Sequence, residues 1–241
     1  MKRFLILPLL LGLCFSGAAQ SKKAAYAYLD AGQMPDAVRF LPPPPSDTST
    51  QFMYDITQHL WGKRQRTDSL RAAMAVRNAT GNIDKMAAQF SEAFGTEISE
   101  EHTPAILQLL RRGVYTVRLA ATHPKDHYRR VRPYVRFNEP TLVPGAEKES
   151  ASTGSFPSGH TVRGLAMALL LIEINPDAQD ELMRFAYEWG QSRVITGYHW
   201  QSDVNASYLI AAAGCARLHA DPVFLADMAA AKAEFNRLSG E

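Results

Sequence analysis

Only two of the 241 residues are cysteine, so no disulfide framework holds this chain together. Neither charge sign is in excess: 26 Lys and Arg stand against 24 Asp and Glu, a formal net charge of +2. That balance argues against a nucleic-acid polymer as the main partner. The apolar runs at 4–15, 164–174 and 207–216 all fall short of the roughly twenty residues a membrane-crossing helix needs. No alternating apolar–polar pattern points to strands, and no internal repeat stands out. What remains is ordinary globular composition, 46% hydrophobic and 21% charged. It excludes collagen-like, disordered and low-complexity classes.

The start of the chain reads as a targeting segment. Met1-Lys2-Arg3 is basic, Phe4 to Phe15 is apolar, and Ser16-Gly17-Ala18-Ala19 supplies small residues. Basic, apolar, small is the plan of a secretory signal peptide, with cleavage expected after Ala19. A membrane anchor and a lipoprotein at Cys14 are the alternatives. About twelve apolar residues is short for the first, and Leu13 stands where the second wants a small residue. Residues 1–19 are therefore expected to be a leader, residues 20–241 one domain, and the location periplasmic or secreted. The leader carries Lys2 and Arg3 and no acid, so its loss leaves 24 basic against 24 acidic residues. Cys215 is then alone, within an apolar run that suits a core residue better than a reactive thiol.

Residues 21–35 suggest a loosely tethered start, and Leu41-Pro42-Pro43-Pro44-Pro45 a stiff polyproline stretch. Helical spacing then dominates. It runs through Phe52, Ile56, His59, Leu60 and Trp61, through Leu70, Met74 and Arg77, and through Ile83, Met86, Ala87, Phe90 and Phe94. Thr103-Pro104 opens a helix through Ile106, Leu107, Leu109 and Leu110. Residues 134–157, rich in Pro and Gly, read as a long loop of the kind that is often functional. Thr161 to Ile174 is apolar on nearly every face and suits a central buried helix. Asp180–Arg193 and Asp203–Ala216 complete an all-α domain.

Three segments could converge on one anion. In Lys125-Asp-His-Tyr-Arg-Arg-Val-Arg132-Pro133 the two outer cations are seven apart, about 10 Å along one helix face. Pro133 disfavours helix at Arg132, which should sit where the chain leaves the helix. Two such cations could grip a phosphate; the segment could equally be a solvated basic face. In Gly154-Ser-Phe-Pro-Ser-Gly-His160-Thr161, Ser158 is a good N-cap and Gly159 permits close backbone approach. Free N–H groups there would hold an anion, with His160 placed to pass a proton. A capped helix with a surface histidine is the plainer reading. In Ser192-Arg193-Val-Ile-Thr-Gly-Tyr-His199-Trp-Gln-Ser-Asp203, His199 and Asp203 are four apart, expected on one helix face. A carboxylate there can hold one imidazole nitrogen as N–H and leave the other as a nucleophile. A surface His–Asp pair is the alternative.

Taken together, Lys-x6-Arg-Pro, Pro-Ser-Gly-His and Ser-Arg-x5-His-x3-Asp resemble the signature of the type 2 phosphatidic acid phosphatase superfamily. The match runs without gap or substitution through Lys125, Arg132, Pro133, Pro157 to His160, Ser192, Arg193, His199 and Asp203. Within it the chain is similar to the bacterial class A non-specific acid phosphatases. Gly154 to Thr161, the Leu41–Pro45 stretch and Phe90-Ser-Glu-Ala-Phe-Gly95 carry that likeness; Phe156 stands where the group usually has Tyr. The resemblance covers roughly residues 26–225. It implies an all-α helical-bundle domain of the acid phosphatase and vanadium haloperoxidase type. It also implies that His199 attacks phosphorus, Asp203 orients it and His160 protonates the leaving alcohol. Lys125, Arg132, Arg193, Ser158 and the Gly159 N–H would hold the equatorial oxygens. Such phosphoryl transfer relies on charge and positioning, so no cofactor or metal is expected. The expected partners are small-molecule phosphomonoesters, with phosphate or vanadate as site ligands. The class A group often forms homo-oligomers.

Two other functions fit parts of this pattern. A vanadium haloperoxidase would use the same anion pocket, though those chains are generally much longer. A non-catalytic phosphate binder would need the cations but not His160, His199 and Asp203. Elsewhere, His123 and His127 are four apart but lack a third metal ligand. His59, His102 and His219 show no partners and are expected at the surface or as caps. Asn78-Ala-Thr80 matches a glycosylation acceptor only weakly. Trp61, Trp189 and Trp200 are expected in the core, with Trp200, which adjoins His199, the one that could instead face substrate.

Overall fold

Residues 26–240 are described here from a computed structural model; the expected leader, residues 1–19, lies outside them. Helices account for the ordered framework, and no strand occurs among the described residues. In chain order they are α1 (Ala37–Phe40), α2 (Thr50–Gln65), α3 (Ser69–Arg77), α4 (Ile83–Phe94), α5 (Pro104–Leu119) and α6 (Thr122–Tyr128). Then follow α7 (Pro133–Phe137), α8 (Glu147–Ala151), α9 (Gly159–Ile174), α10 (Gln179–Ile195), α11 (Gln201–Leu218) and α12 (Pro222–Ser239).

The architecture follows from α9. Its residues are apolar around nearly the whole circumference, so water cannot face any side of it cheaply. It is accordingly the central helix, packed against α5, α10 and α11. Val162, Leu165, Met167, Leu170 and Leu171 all lie in one contiguous core with Phe90, Leu110, Val117, Trp189 and Ile210. Close approach needs small residues: a Cβ on Gly164 would lie 2.5 Å from the Trp189 ring. Side-chain caps start several helices. Ser49 accepts from the Phe52 N–H, Asn82 from Lys85, Ser158 from Thr161 and Asp221 from Val223 and Phe224. The N-terminus of α5 is capped from a distance: buried Glu234 of α12 accepts from the Ala105 and Ile106 N–H groups. Among the described residues no single helix is long and apolar enough to cross a membrane.

Several expectations from the sequence need correction. The described start of the chain is tied down, not loose: the Tyr28 N–H donates to Thr116 Oγ1, its hydroxyl bonds Asp227, and Leu29 and Met34 are buried. The 134–157 segment contains α7 and α8 instead of a continuous loop. On α2 the buried face is Phe52, Asp55, His59 and Gly62, while Leu60 is exposed. On α3 Leu70 is exposed and Ala75 is buried. The histidines expected without partners all have them. His59 is buried, stacked on Phe137 and paired with Glu139, while His102 meets Glu97 and His219 meets Glu173. Cys215 is a core residue; burial pushes its thiol up to about 12.

Candidate active site

The three segments meet at one cavity of about 420 Å³, lined by Lys125, Arg132, Gly159, His160, Arg193 and His199 among others. Ser158 and Asp203 lie directly behind that lining. The elements that deliver these side chains differ from the simplest reading of their spacing. Lys125 and Arg132 do not share a helix. The helix α6 ends at Tyr128, Arg129 turns left-handed at φ 44°, and Arg132 becomes the N-cap of α7. Likewise His199 is not on the helix of Asp203. It sits in the turn between α10 and α11, with Trp200 as N-cap and Asp203 in the first helical turn. Gly197, at φ 89°, makes that turn possible.

The cations are held by backbone carbonyls. Lys125 Nζ donates to the Gly154 and Pro157 carbonyls at 2.7 and 2.8 Å. Arg132 donates to the Ser150, Thr153, Gly154 and Tyr198 carbonyls and to Thr153 Oγ1. These bonds fasten the 150–157 segment to the cavity wall. The approach is close: a Cβ on Gly154 would lie 2.5 Å from the Lys125 carbonyl oxygen. Arg193 is 3% exposed, yet its Nε and Nη1 have no partner among the described residues. Its plane packs 5.1 Å from the Tyr198 ring centre. Donors left bare in a buried wall await an acceptor, since an unmade buried hydrogen bond is costly.

The neighbours of the two imidazoles set their tautomers. His199 Nε2 lies 3.3 Å from Arg132 Nη1, and a guanidinium only donates, so Nε2 carries the lone pair. The proton is therefore on Nδ1, which faces Asp203 Oδ2 at 3.5 Å. His160 is the reverse: its Nε2 lies 3.1 Å from the Ala79 carbonyl, which only accepts. Nε2 thus carries hydrogen, and Nδ1 is the nitrogen available for a second proton. Burial holds both rings well below the ordinary histidine value. Arg132, Lys125 and Arg193 add to the effect at His199, and Arg193 and Arg163 at His160. Lys125 is lowered to about 7, by desolvation first and Arg132 second. Arg193 is lowered to about 9 for similar reasons. An anion entering the cavity offsets the part of these shifts that comes from neighbouring cations, because opposite charge favours the protonated forms; the larger part, due to burial, remains.

Behind His199 lies a network that the sequence did not disclose. Asp203 Oδ1 accepts from Arg130 Nη1 at 2.7 Å, and Oδ2 from the Trp200 N–H at 2.9 Å. Arg130 Nη2 donates to Asp55 Oδ2 at 2.7 Å, and Asp55 also accepts from the Ser202 N–H and hydroxyl. Both carboxylates are fully buried. Ser158 is anchored too: its N–H donates to Ser207 Oγ, and its Oγ accepts from Thr161 Oγ1. Asn78, weakly matched as a glycosylation acceptor, is buried and donates to Ser192 Oγ at 3.0 Å. Trp200 is core, with its Nε1–H on the Val131 carbonyl. His123 pairs with Asp36 at 2.9 Å.

Comparison with known proteins places this geometry in a family. The PAP2 superfamily model matches residues 108–224, a span holding every cavity cation named above. A non-specific acid phosphatase of Providencia stuartii is 40% identical over 212 residues, covering 88% of this chain and 85% of that protein. One from Salmonella typhimurium is 37% identical, covering 82% and 79%. An acid phosphatase of Zymomonas mobilis is 31% identical, covering 84% and 76%. With similarity of that extent across a helical domain built around this cavity, the chain belongs to the PAP2 superfamily and, within it, to the non-specific acid phosphatases.

Proposed function

We propose that this phosphoric monoester hydrolase is a metal-independent acid phosphatase, exported by its leader, that works through a phosphohistidine on His199. What supports the reading most is the pairing of a neutral, lone-pair-bearing His199 Nε2 with a cavity wall of cations. Lys125, Arg132 and Arg193, with the Ser158 and Gly159 region at the start of α9, take the phosphoryl oxygens. His199 Nε2 bonds to phosphorus as the bond to the leaving oxygen breaks, and protonated His160 gives that oxygen its proton. Water then attacks phosphorus, the N–P bond breaks, and His160 takes the water's proton. Asp203 faces the Nδ1 proton and stabilises the charge that His199 develops. Metal independence rests on the donor set. Among the described residues no three His, Cys, Asp or Glu side chains cluster as a metal site. The charge that phosphoryl transfer requires is supplied by guanidinium and ammonium groups.

The test is hydrolysis of p-nitrophenyl phosphate by the mature protein in EDTA, from acid to alkaline pH. Turnover should persist undiminished by the chelator. A folded protein with no turnover at any pH overturns the phosphatase reading, and activity that EDTA abolishes overturns metal independence.

Lys125 gives this profile a direction. A cation lowered to about 7 is charged below that pH and neutral above it. The phosphate ester is already dianionic there, so the loss falls on the enzyme. kcat/KM, which reports the free enzyme, should decline as pH rises through about 7. Lys125→Met should lower kcat/KM and remove that alkaline limb. A limb unchanged in the variant would assign it to another group.

A further inference from the structure

We infer that Arg118 and Arg163 form a second anion subsite on the leaving-group side of the cavity, favouring phosphomonoesters whose alcohol carries a further anionic group. The inference rests on the phosphatase reading above and extends it to substrate class.

Both arginines line the cavity in addition to the three cations that hold the phosphoryl group. Arg118 lies in the last turn of α5, and its buried Nε has no hydrogen-bond partner among the described residues. That nitrogen would be 3.9 Å from a Cβ on Gly159, which places it beside the first turn of α9. Arg163 stands on α9 three residues beyond His160 and four beyond Gly159, hence on the same helix face. Helical side chains lean toward the N-terminus, and Arg163 Nη1 reaches the Gly81 carbonyl at 3.4 Å. The same 79–81 segment holds His160, through the Ala79 carbonyl. Arg163, His160 and residues 79–81 therefore make one wall. It is the wall from which the leaving oxygen receives its proton, so charge there meets the alcohol portion of the substrate.

The charge balance points the same way. A phosphoryl group brings about −1.5 to −2 at neutral pH, whereas among the described residues four arginines and the partly charged Lys125 line the cavity. Glu149, the carboxylate lining it among the described residues, belongs to the segment whose Ser150 and Thr153 bind Arg132, away from this wall. Burial and the neighbouring Arg118 lower Arg163 to about 10. A second anion would relieve that repulsion, and a carboxylate or phosphate suits the fork of a guanidinium.

A matched pair of substrates tests this. Glycerol 3-phosphate and 3-phosphoglycerate share a three-carbon leaving group and differ by one carboxylate. In the wild-type protein at low ionic strength, kcat/KM should favour 3-phosphoglycerate by about ten-fold, the worth of one charge-assisted contact. That ratio should shrink as salt is added. Arg163→Met and Arg118→Met, on separate helices, should each cut the ratio by several-fold. A wild-type ratio near one, or variants that lose both substrates in equal proportion, overturns the subsite and makes these arginines structural or part of phosphoryl binding. The wild-type ratio needs no variant to fold. Turnover of p-nitrophenyl phosphate with a flat ratio rejects the subsite alone; absence of that turnover rejects the phosphatase reading and the subsite with it.

Discussion

Replacing His199 with alanine should lower kcat for p-nitrophenyl phosphate by on the order of 10⁴-fold or more, the scale seen when a covalent nucleophile is removed. The reason is geometric. His199 Nε2 is an imidazole nitrogen at the cavity whose lone pair is fixed by its neighbours, with Arg132 on that side and Asp203 on the other. The pKa of His160 is lowered in the same way, but its Nε2–H is committed to the Ala79 carbonyl, which suits a proton carrier better than a nucleophile. Without His199, water would have to attack phosphorus directly among the remaining cations, which stabilise charge but supply no nucleophile. KM should change less than kcat, since Lys125, Arg132 and Arg193 remain. Two readouts check this: steady-state kinetics at matched circular dichroism, and alkali-quench recovery of labelled protein from a ³²P-labelled substrate. A His199→Ala protein that still turns over at a comparable rate, or still traps label, would move the covalent step to another residue.

On the proposed mechanism, the neutral state of His199 should suit the site to acid conditions. A nucleophilic imidazole of ordinary pKa would be mostly protonated at pH 5. Burial and three flanking cations keep this one unprotonated well below its ordinary value. Over the same range Lys125 is charged, because about 7 lies above it. Acidity therefore preserves both the lone pair and the cation, and alkalinity removes the cation first.

Much of this arrangement was legible in the sequence, because the spacing of charged and capping residues along short segments reports local geometry. Ser158 caps α9 as its residue type predicts, and His160 falls in the first turn. What failed was reading helix where turn geometry wins. The i, i+4 spacing of His199 and Asp203 predicts one helix face, but the left-handed Gly197 sets His199 in a turn that points it back at Asp203. The Lys125–Arg132 spacing predicts two turns of helix, but Arg129 breaks the helix and lets the cations approach from different directions. Arg129, Arg130 and Arg132 are alike in sequence, and nothing local says which one faces inward. Asp55 left a faint signal: it shares a helix face with Phe52, His59 and Gly62, so a carboxylate there demands a buried partner. Glu234 is similar, an acid on a mostly apolar face whose partners are backbone N–H groups about 130 residues away in sequence.

Arg130 is the position where loss should cost the most outside the cavity. One guanidinium bridges two fully buried carboxylates, Asp203 at 2.7 Å and Asp55 at 2.7 Å, while lying over Trp200 at 5.4 Å. Arg130→Met keeps much of the packing volume and removes the countercharge, leaving two buried anions. Breaking a buried pair by removing one partner costs roughly 3–5 kcal/mol, and here two pairs break at once. Arg130→Lys should recover little, since one ammonium lacks the fork that serves both carboxylates. The second-site change Asp55→Asn, made in the Arg130→Met protein, should restore part of the stability, because it removes one uncompensated charge. With wild type and the Asp55→Asn single variant, the four denaturation curves form a double-mutant cycle, and effects that merely add would show that Arg130 and Asp55 are not coupled. Catalysis supplies an independent readout. Arg130 does not line the cavity, so KM should hold while kcat falls, as Asp203 loses one of the two donors that aim it at His199. A folded Arg130→Met protein with wild-type kcat would mean that the Trp200 N–H alone positions Asp203 and that the buried arginine serves stability only.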